Sequence, residues 1–510
     1  MKMHQFWKLY LGLGVVLLAT LLLRVPSLAE PPWYDDEGIY AAVGHAILGG
    51  ATPYRDILDN RTPGIYWLYA AMLMVSGYSV FFVKLVATTS LLLTQATLFH
   101  IASRLWNVKT GLVVVAALGL LASFPMLEGN TANAELFMML PVSIGVLLML
   151  REQAFWAGVA LALAFLIKQI AAIELVACIA ALLLFHPRPL RTAGMLLLGY
   201  LLPVSATMVY LALQGVLTDF MYAGFAYYFA YMQRETRIPT VLLIGKVLLL
   251  LASIAIVAWH VRGPRTAERF GYGLLALWAL FALFGSLFTS RWYPHYLLQA
   301  VPPLILLIVP TVVANWNIAI QRMTQGKLLA TAGLSVAWCW LFLAIYMPWP
   351  SWAKLDWSVG YYQNFALYLT GQRSPQAYND FFDKRVNRNL ALLRYFQRHA
   401  KPADKLFIWG SEPWLYALTR LREATPYVVY YQAYEMPSGQ QKVMESVRRQ
   451  RPDFVMWTNN RPLLPDLKTE LDKNYTATLV QENAIVYRRN SALSLPPTES
   501  PPPSLSSQGR

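Results

Sequence analysis

Apolar runs of roughly 17–25 residues, the length that crosses a bilayer as helix, recur along the first two thirds of this chain. A ~20-residue criterion gives about eleven of them. They fall near 9–29, 81–103, 111–127, 136–150, 154–167, 170–186, 194–213, 241–260, 271–289, 296–315 and 328–347. Beyond residue 348 the pattern changes, with frequent charges and short apolar runs. KLFIWG (Lys405–Gly410) and DFVMWT (Asp453–Thr458) suit buried strands. Asn389–His399 has helical spacing, and Gly439–Arg451 is a polar helix between the strands. Tyr475–Arg489 alternates as a hairpin does. The pattern predicts an all-α polytopic membrane domain (1–347), a small extracytoplasmic α/β domain (348–490), and a disordered Ser/Pro-rich tail (491–510).

Loops between the runs set the topology. Arg104 and Lys109, then Arg151, then Arg188 and Arg191, then Arg262, Arg265 and Arg269, then Arg322 and Lys327 lie in short basic loops. The positive-inside bias puts these loops in the cytoplasm. The alternate set is 30–80, 128–135, 168–169, 214–240, 290–295 and everything after 348. It is longer and richer in acids and aromatics, and it faces outward. The run 9–29 follows Lys2 and Lys8 and ends in a signal-peptidase-like PSLAEPP. Its length favours an uncleaved first span over a cleaved signal.

Composition narrows the class. Of 510 residues, 57% are hydrophobic and only 14% charged, where a soluble domain carries about 25% charged residues. The net charge of +15 collects in the cytoplasmic loops. No basic patch with aromatic interleaving stands in the polar part, so no nucleic-acid partner is expected. The two cysteines, Cys178 and Cys339, lie inside apolar runs and read as small core residues.

The chemistry concentrates in the first outer loop, WYDDEGIYAAVGHAILGGATPYRDILDNRTPGIYW, from Trp33 to Trp67. Asp36 suits an N-cap for a helix over Glu37–Leu48, and Glu37 suits its first turn. That helix has Tyr40, Val43 and Ile47 on one side and could lie flat on the membrane. A cap needs one acid, and three stand here. A carboxylate at a water–lipid boundary can deprotonate an acceptor hydroxyl. Further on, Arg55 and Arg61 flank Asp56 and Asp59. They form either a salt-bridged loop or a phosphate contact, for which the guanidinium fork is suited.

DDEGIYAAVGHAILGGATPYRDILDNRTPGIYWLYA resembles the first outer loop of GT-C glycosyltransferases of the family 39/83 type. These include protein O-mannosyltransferases, lipid A aminoarabinose transferases and Rgt-type transferases. The resemblance implies a GT-C fold and a catalytic acidic motif matched by Asp36 and Glu37. It also implies a donor-phosphate contact at Arg61. In the aminoarabinose branch the phosphate-contacting stretch is Glu-Lys-Pro-Pro. Here Asn60, Arg61, Thr62 and Pro63 stand in its place, so the glutamate that would touch a metal is absent.

Three later outer loops add residues. EGNTANAELF carries Glu135 at the start of a span, near Asn130 and Asn133. It is a helix-start acid, or it matches the family's second acidic residue, with Glu128 the lesser choice. Lys168 interrupts AFLIKQIAAIEL at an outward turn, where a lysine either snorkels or contacts substrate. SRWYPHY brings Arg291, Tyr293 and His295 beside lipid. An aromatic belt explains Trp292 and Tyr293, and a lipid-phosphate clamp accounts better for Arg291 and His295. This loop resembles the family's late outer loop, which contacts the lipid-linked donor.

The expected activity is therefore inverting transfer of a sugar from a polyprenyl-phosphate donor. The acceptor is an extracytoplasmic lipid, glycan or protein, and Asp36 is the general base. The expected location is a multi-pass protein of the bacterial inner membrane. No nucleotide motif is present. Asp and Glu could hold a divalent ion, and nothing in the spacing requires one, so no metal ligand is assigned. The alternatives are a transporter or flippase, a membrane scaffold, and a polymerase or ligase moving whole lipid-linked glycans. A transporter would carry its ionisable residues mid-membrane and in paired repeats.

Overall fold

The computed structural model describes residues 3–227, 240–260, 263–288, 293–318, 355–459 and 461–490. Several expectations lie outside the described residues: Arg291 and Trp292, the span at 328–347 with Cys339, the basic residues Arg262, Arg322 and Lys327, and the tail 491–510. Arg234, Glu235 and Arg237, in the expected outward loop 214–240, lie outside them as well.

In chain order the helices begin with α1 (Met3–Leu28), α2 (Asp35–Leu48), α3 (Pro63–Ser76), α4 (Val80–Leu105) and α5 (Val108–Ser123). They continue with α6 (Ala134–Leu150), α7 (Ala154–Ile167), α8 (Ala172–Phe185), α9 (Pro189–Leu213) and the short α10 (Leu217–Met221). Then come α11 (Thr240–His260), α12 (Ala267–Phe288), α13 (Val301–Ile318) and α14 (Leu355–Leu369). The C-terminal part runs α15 (Pro375–Phe382), α16 (Arg385–His399), β1 (Lys405–Trp409), α17 (Trp414–Thr419) and β2 (Arg422–Glu423). It ends with α18 (Tyr430–Glu435), α19 (Gly439–Gln450), β3 (Phe454–Thr458), α20 (Pro465–Asn474), β4 (Tyr475–Gln481) and β5 (Ala484–Arg489).

These elements form two compact units. The first comprises 1–29, 60–65 and 81–367. Among its described residues, α1, α4, α9 and α12 are long and apolar enough to cross a membrane. Most of the other expected runs form shorter apolar helices of 10–17 residues. α7 packs on α6 and α9, and α12 packs on α8. Gly158 of α7 faces the Leu196 carbonyl of α9, and Gly199 of α9 faces the Phe155 carbonyl of α7. A Cβ at either would strike backbone, so small residues permit the close crossing usual between membrane helices. Arg24 of α1 is buried and donates to Thr88 Oγ1 and to the carbonyls of Gly129 and Asn130. A guanidinium has five donors and needs partners when buried. It spends them here on fixing the second outer loop.

The second unit comprises 30–59, 66–80 and 368–510. Its five-stranded sheet has the order β2-β1-β3-β5-β4. β1 runs parallel to β2 and β3, and β5 runs antiparallel to β3 and β4. The short apolar runs at 405 and 454 are the buried neighbouring strands β1 and β3, with Leu406 opposite Phe454. Residues 30–59 and 66–80 of the loop between the first two apolar runs are built into this unit. Leu58 bridges in parallel to Tyr427, its N–H donating to the Pro426 carbonyl at 2.7 Å.

α2 differs from its expectation in two ways. It begins at Asp35 and its N-cap is Tyr34, so Asp36 is an ordinary first-turn residue and caps nothing. Nor does it lie flat on a membrane: Glu37 to Ala46 are all buried. Gly38 gives room to Pro413 and to the N-terminus of α17, and Gly44 gives room to the Ala70 backbone of α3. With protein on both sides, the helix is buried nearly all round, as its lack of a polar face allows.

His45 closes the far end of α2. Its Nδ1 lies 2.9 Å from the Tyr78 hydroxyl and its Nε2 lies 3.1 Å from the Leu421 carbonyl. Burial, with the nearby Arg420 charge, holds the imidazole below its ordinary pKa despite the bond to Leu421. The unfolded chain therefore binds the proton more tightly. The bonds stabilise fully above about pH 6.5, and that stability is lost as pH falls. We expect wild type to melt above His45→Asn at about pH 7.5 and the gap to narrow by about pH 5.5. A thermal-unfolding series showing a constant gap would contradict this.

Candidate active site

Five of the expected residues, Arg61, Glu135, Lys168, Tyr293 and His295, come together in the first unit. α7 stops at Ile167. Lys168 is extended (φ −151°, ψ 127°) before a 3-10 turn leads into α8. A side chain leaving such a break can reach sideways between helices. Lys168 does not snorkel: it is 4% exposed and makes a buried ion pair with Glu135. Glu135 stands in the first turn of α6, whose start is capped by Asn133 through a 2.9 Å bond to Ala134 N. An acid at a helix N-terminus and a cation at a helix C-terminus both sit favourably in the backbone dipoles.

His295 joins the pair from the 3-10 segment Pro294–Ala300. Its Nδ1 is 2.6 Å from Glu128 Oε2, and its Nε2 is 3.8 Å from Glu135 Oε1. Tyr293 stacks on the imidazole at 5.6 Å, and Tyr296 meets it edge-on at 4.8 Å. Lys168 Nζ lies 4.7 Å from the centre of the Tyr296 ring, a cation–π contact. Glu128 reaches the histidine from a left-handed turn (φ 55°). Next to it, a Cβ on Gly129 would strike the Ala122 carbonyl.

Arg61 stands beside this cluster. It donates to Asn60 Oδ1, and its charge acts on Glu135. Gln169, the residue after Lys168, donates to the Asn60 carbonyl at 2.8 Å and so ties the Arg61 turn to the helix break. Gly64 lies against the Leu166 carbonyl, with no room for a side chain. Thr62 is fully buried, and its hydroxyl has no hydrogen-bond partner among the described residues. The NRTPG turn thus seats a guanidinium against the end of α7.

The acids of the first loop belong to the second unit and point three ways, as residues ~100° apart on a helix must. Asp35 pairs with Arg385 at 3.3 Å. Burial, reinforced by the Glu412 and Asp36 charges and opposed by Arg385, pushes its carboxyl up to about 6. Asp36 is half-buried, and its charge acts on the hydroxyls of Tyr69 and Tyr431. Glu37 is fully buried. Arg385 also binds Asp383 at 2.8 Å and the Ser411 carbonyl at 2.8 Å, and Arg388 pairs with buried Glu412 at 2.5 Å. Arg55 is exposed and pairs with Asp56 at 3.1 Å. Asp59 accepts from Tyr66 at 2.6 Å and from Gln432 at 3.2 Å.

Sequence reasoning gave Glu128 too little weight, noted Tyr296 and Gln169 without assigning them a role, and passed over Arg385. For Glu128 the signal was present, an acid next to a glycine at an outer turn. For Arg385 there was none, because its partner Asp35 is 350 positions away. Among the described residues no group of three or more His, Cys, Asp or Glu could hold a metal.

An apolar helical unit joined to an α/β unit, with buried charges at helix ends, defines an integral membrane protein of the GT-C fold. Two solved structures carry that likeness, both of ArnT from Cupriavidus metallidurans. The apo state matches with a TM-score of 0.56 at 14% identity, over 95% of this chain and 98% of that one. The state bound to undecaprenyl phosphate matches with a TM-score of 0.54 at 14% identity, over 95% and 99%. An oligosaccharyltransferase from Archaeoglobus fulgidus, in the apo form, gives a TM-score of 0.41 at 10% identity, over 89% and 70%. No family model and no curated protein matches the chain.

The Lys168–Glu135 pair has a measurable signature. Removing one partner strands a buried charge, so Lys168→Met should cost about 3–5 kcal/mol, and Lys168→Met with Glu135→Gln should recover much of it. Equilibrium unfolding in detergent reads both. Losses that simply add would argue against the pair.

Proposed function

We propose that this chain is a membrane glycosyltransferase that takes a sugar from a polyprenyl-phosphate donor. The observation that carries the reading is the buried charge cluster of Glu135, Lys168, His295 and Glu128 beside Arg61. Ionisable groups sunk among apolar helices are expensive and are retained for function. The likeness to ArnT, a protein solved with undecaprenyl phosphate bound, supports a lipid-borne phosphate as its ligand. The basic loops on the opposite side support an outward-facing reaction, in a bacterial inner membrane, on a lipid, glycan or protein acceptor.

In this reading Asp36 takes the proton of the acceptor hydroxyl. The oxygen attacks the anomeric carbon, and the bond from that carbon to the phosphate oxygen breaks. The electron pair leaves with the lipid phosphate, whose charge grows in the transition state. Arg61 is the cation suited to that charge. Lys168 and His295 already hold carboxylates, so they serve mainly to set the shape and balance of the phosphate site, and Tyr293 flanks them. Arg55, paired with Asp56, is not assigned to the phosphate. Attack opposite the leaving group inverts the anomeric centre. Glu37, fully buried, helps shape the acidic turn.

Purified protein should transfer sugar from radiolabelled polyprenyl-phosphate donors, and Asp36→Asn should slow transfer by about 10²-fold or more. Asp35→Asn serves as the comparison, because Asp35 carries the raised carboxyl pKa. Equal loss in both variants would remove the special role of Asp36. Donor movement across liposomes without donor consumption would replace the transferase by a transporter.

A further inference from the structure

The second unit holds a pocket that the transfer reaction does not use. It has a volume of about 230 Å³. On one side lies the first outer loop, with Ala46, Ala51 and Arg55–Ile57. On the other lie the β2 edge and the end of α19. The Leu58–Tyr427 bridge and the Leu58–Pro426 hydrogen bond fasten the two sides together, so the pocket is built into the fold.

Its chemistry is specific. The polar lining comes from Arg55, Asp56, Glu423, Thr425, Ser446, Arg449 and Gln450. Arg55 and Asp56 neutralise each other at 3.1 Å. Burial pushes the Glu423 carboxyl up to about 8, so at neutral pH it lines the pocket as an uncharged acid. Its Oε1 is buried and has no hydrogen-bond partner among the described residues. Lys405 donates to Gln450 Oε1 at 2.7 Å, which leaves the Gln450 amide as a donor. Arg448 has a carboxylate, Asp466, at 3.6 Å, whereas Arg449 has none within ion-pair distance among the described residues. The balance is a small, polar, mainly uncharged pocket with one uncompensated guanidinium at its wall.

We propose that this pocket binds one anionic sugar residue, a single ring bearing a carboxylate or phosphate. Ring hydroxyls match the mixed donors and acceptors of Glu423, Thr425 and Gln450. The anionic group matches Arg449, whose fork binds carboxylate or phosphate in two bonds. The space suits one such ring, and no aromatic face lines it for a nucleobase. The inference goes beyond the transferase reading and stands apart from it, because its readout is binding.

Ligand-observed NMR titration of the full chain in nanodiscs tests it with glucuronate, glucose 6-phosphate, methyl glucoside and inorganic phosphate. Saturable binding of glucuronate or glucose 6-phosphate is expected, with methyl glucoside about tenfold weaker for want of a charge-assisted bond. Which anion binds better tells carboxylate from phosphate recognition. Arg449→Ala should weaken the anionic sugars about tenfold. Arg448→Ala, the neighbouring arginine with its own partner, should leave them unchanged. Both side chains are exposed, so neither change threatens the fold. Four results overturn the proposal: no saturation by either anionic sugar, equal binding of methyl glucoside, inorganic phosphate as tight as glucose 6-phosphate, or an unchanged affinity in Arg449→Ala.

Discussion

The interaction on which the helical unit turns is the buried pair of Lys168 and Glu135. Two charges removed from water repay their desolvation only with close geometry and further hydrogen-bonding partners. The structure supplies the close geometry, while Glu135 Oε2 is buried with no hydrogen-bond partner among the described residues. α6 presents its N-terminus and α7 its C-terminus, so each charge also lies in a favourable dipole. His295 and Glu128 extend the pair into a network of four, and Tyr296 adds a ring face. The break in the helix at Lys168 is what allows the reach, since a continuous helix would leave the lysine pointing along its own groove.

From this constraint the neighbouring loops acquire their shapes. The loop between α5 and α6 is held by Arg24 and places Glu128 against the histidine. The NRTPG turn is tied to the same helix break by Gln169 and pressed against it at Gly64. Distant pieces of sequence thereby share one small volume of the membrane unit. The apolar helices around them explain why buried Lys168 has a carboxylate beside it and buried Arg24 a set of oxygen acceptors: an unsatisfied charge would be too costly.

The acidic stretch at the start of α2 obeys a different logic. Its helix is buried within the α/β unit, and its acids are distributed among three environments. Asp35 is drawn to Arg385, Asp36 remains half-buried among tyrosines, and Glu37 disappears into the interior. The small residues Gly38, Ala41, Ala42 and Gly44 are what let a helix with three acids be packed so tightly. Arg55 and Arg61 stand only six residues apart, yet they belong to different units and hold different partners.

Much of this protein was legible in its residues. Apolar run length, loop charge and strand-like runs are local properties, so the helical membrane class and the α/β part could be read directly. A crossing count is less direct, because many of the apolar runs fold as helices shorter than a full span. What the chain's order could not say is who pairs with whom. Lys168 was expected at the water boundary and is buried against Glu135. Asp36 was expected to cap α2, and the helix begins one residue earlier. Glu128 gained its place only because the His295 segment packs on it, and Asp35 gained a cation from far along the chain. Hydrophobic periodicity is written in neighbours, whereas the partner of a buried charge is chosen by packing between segments that sequence distance does not relate.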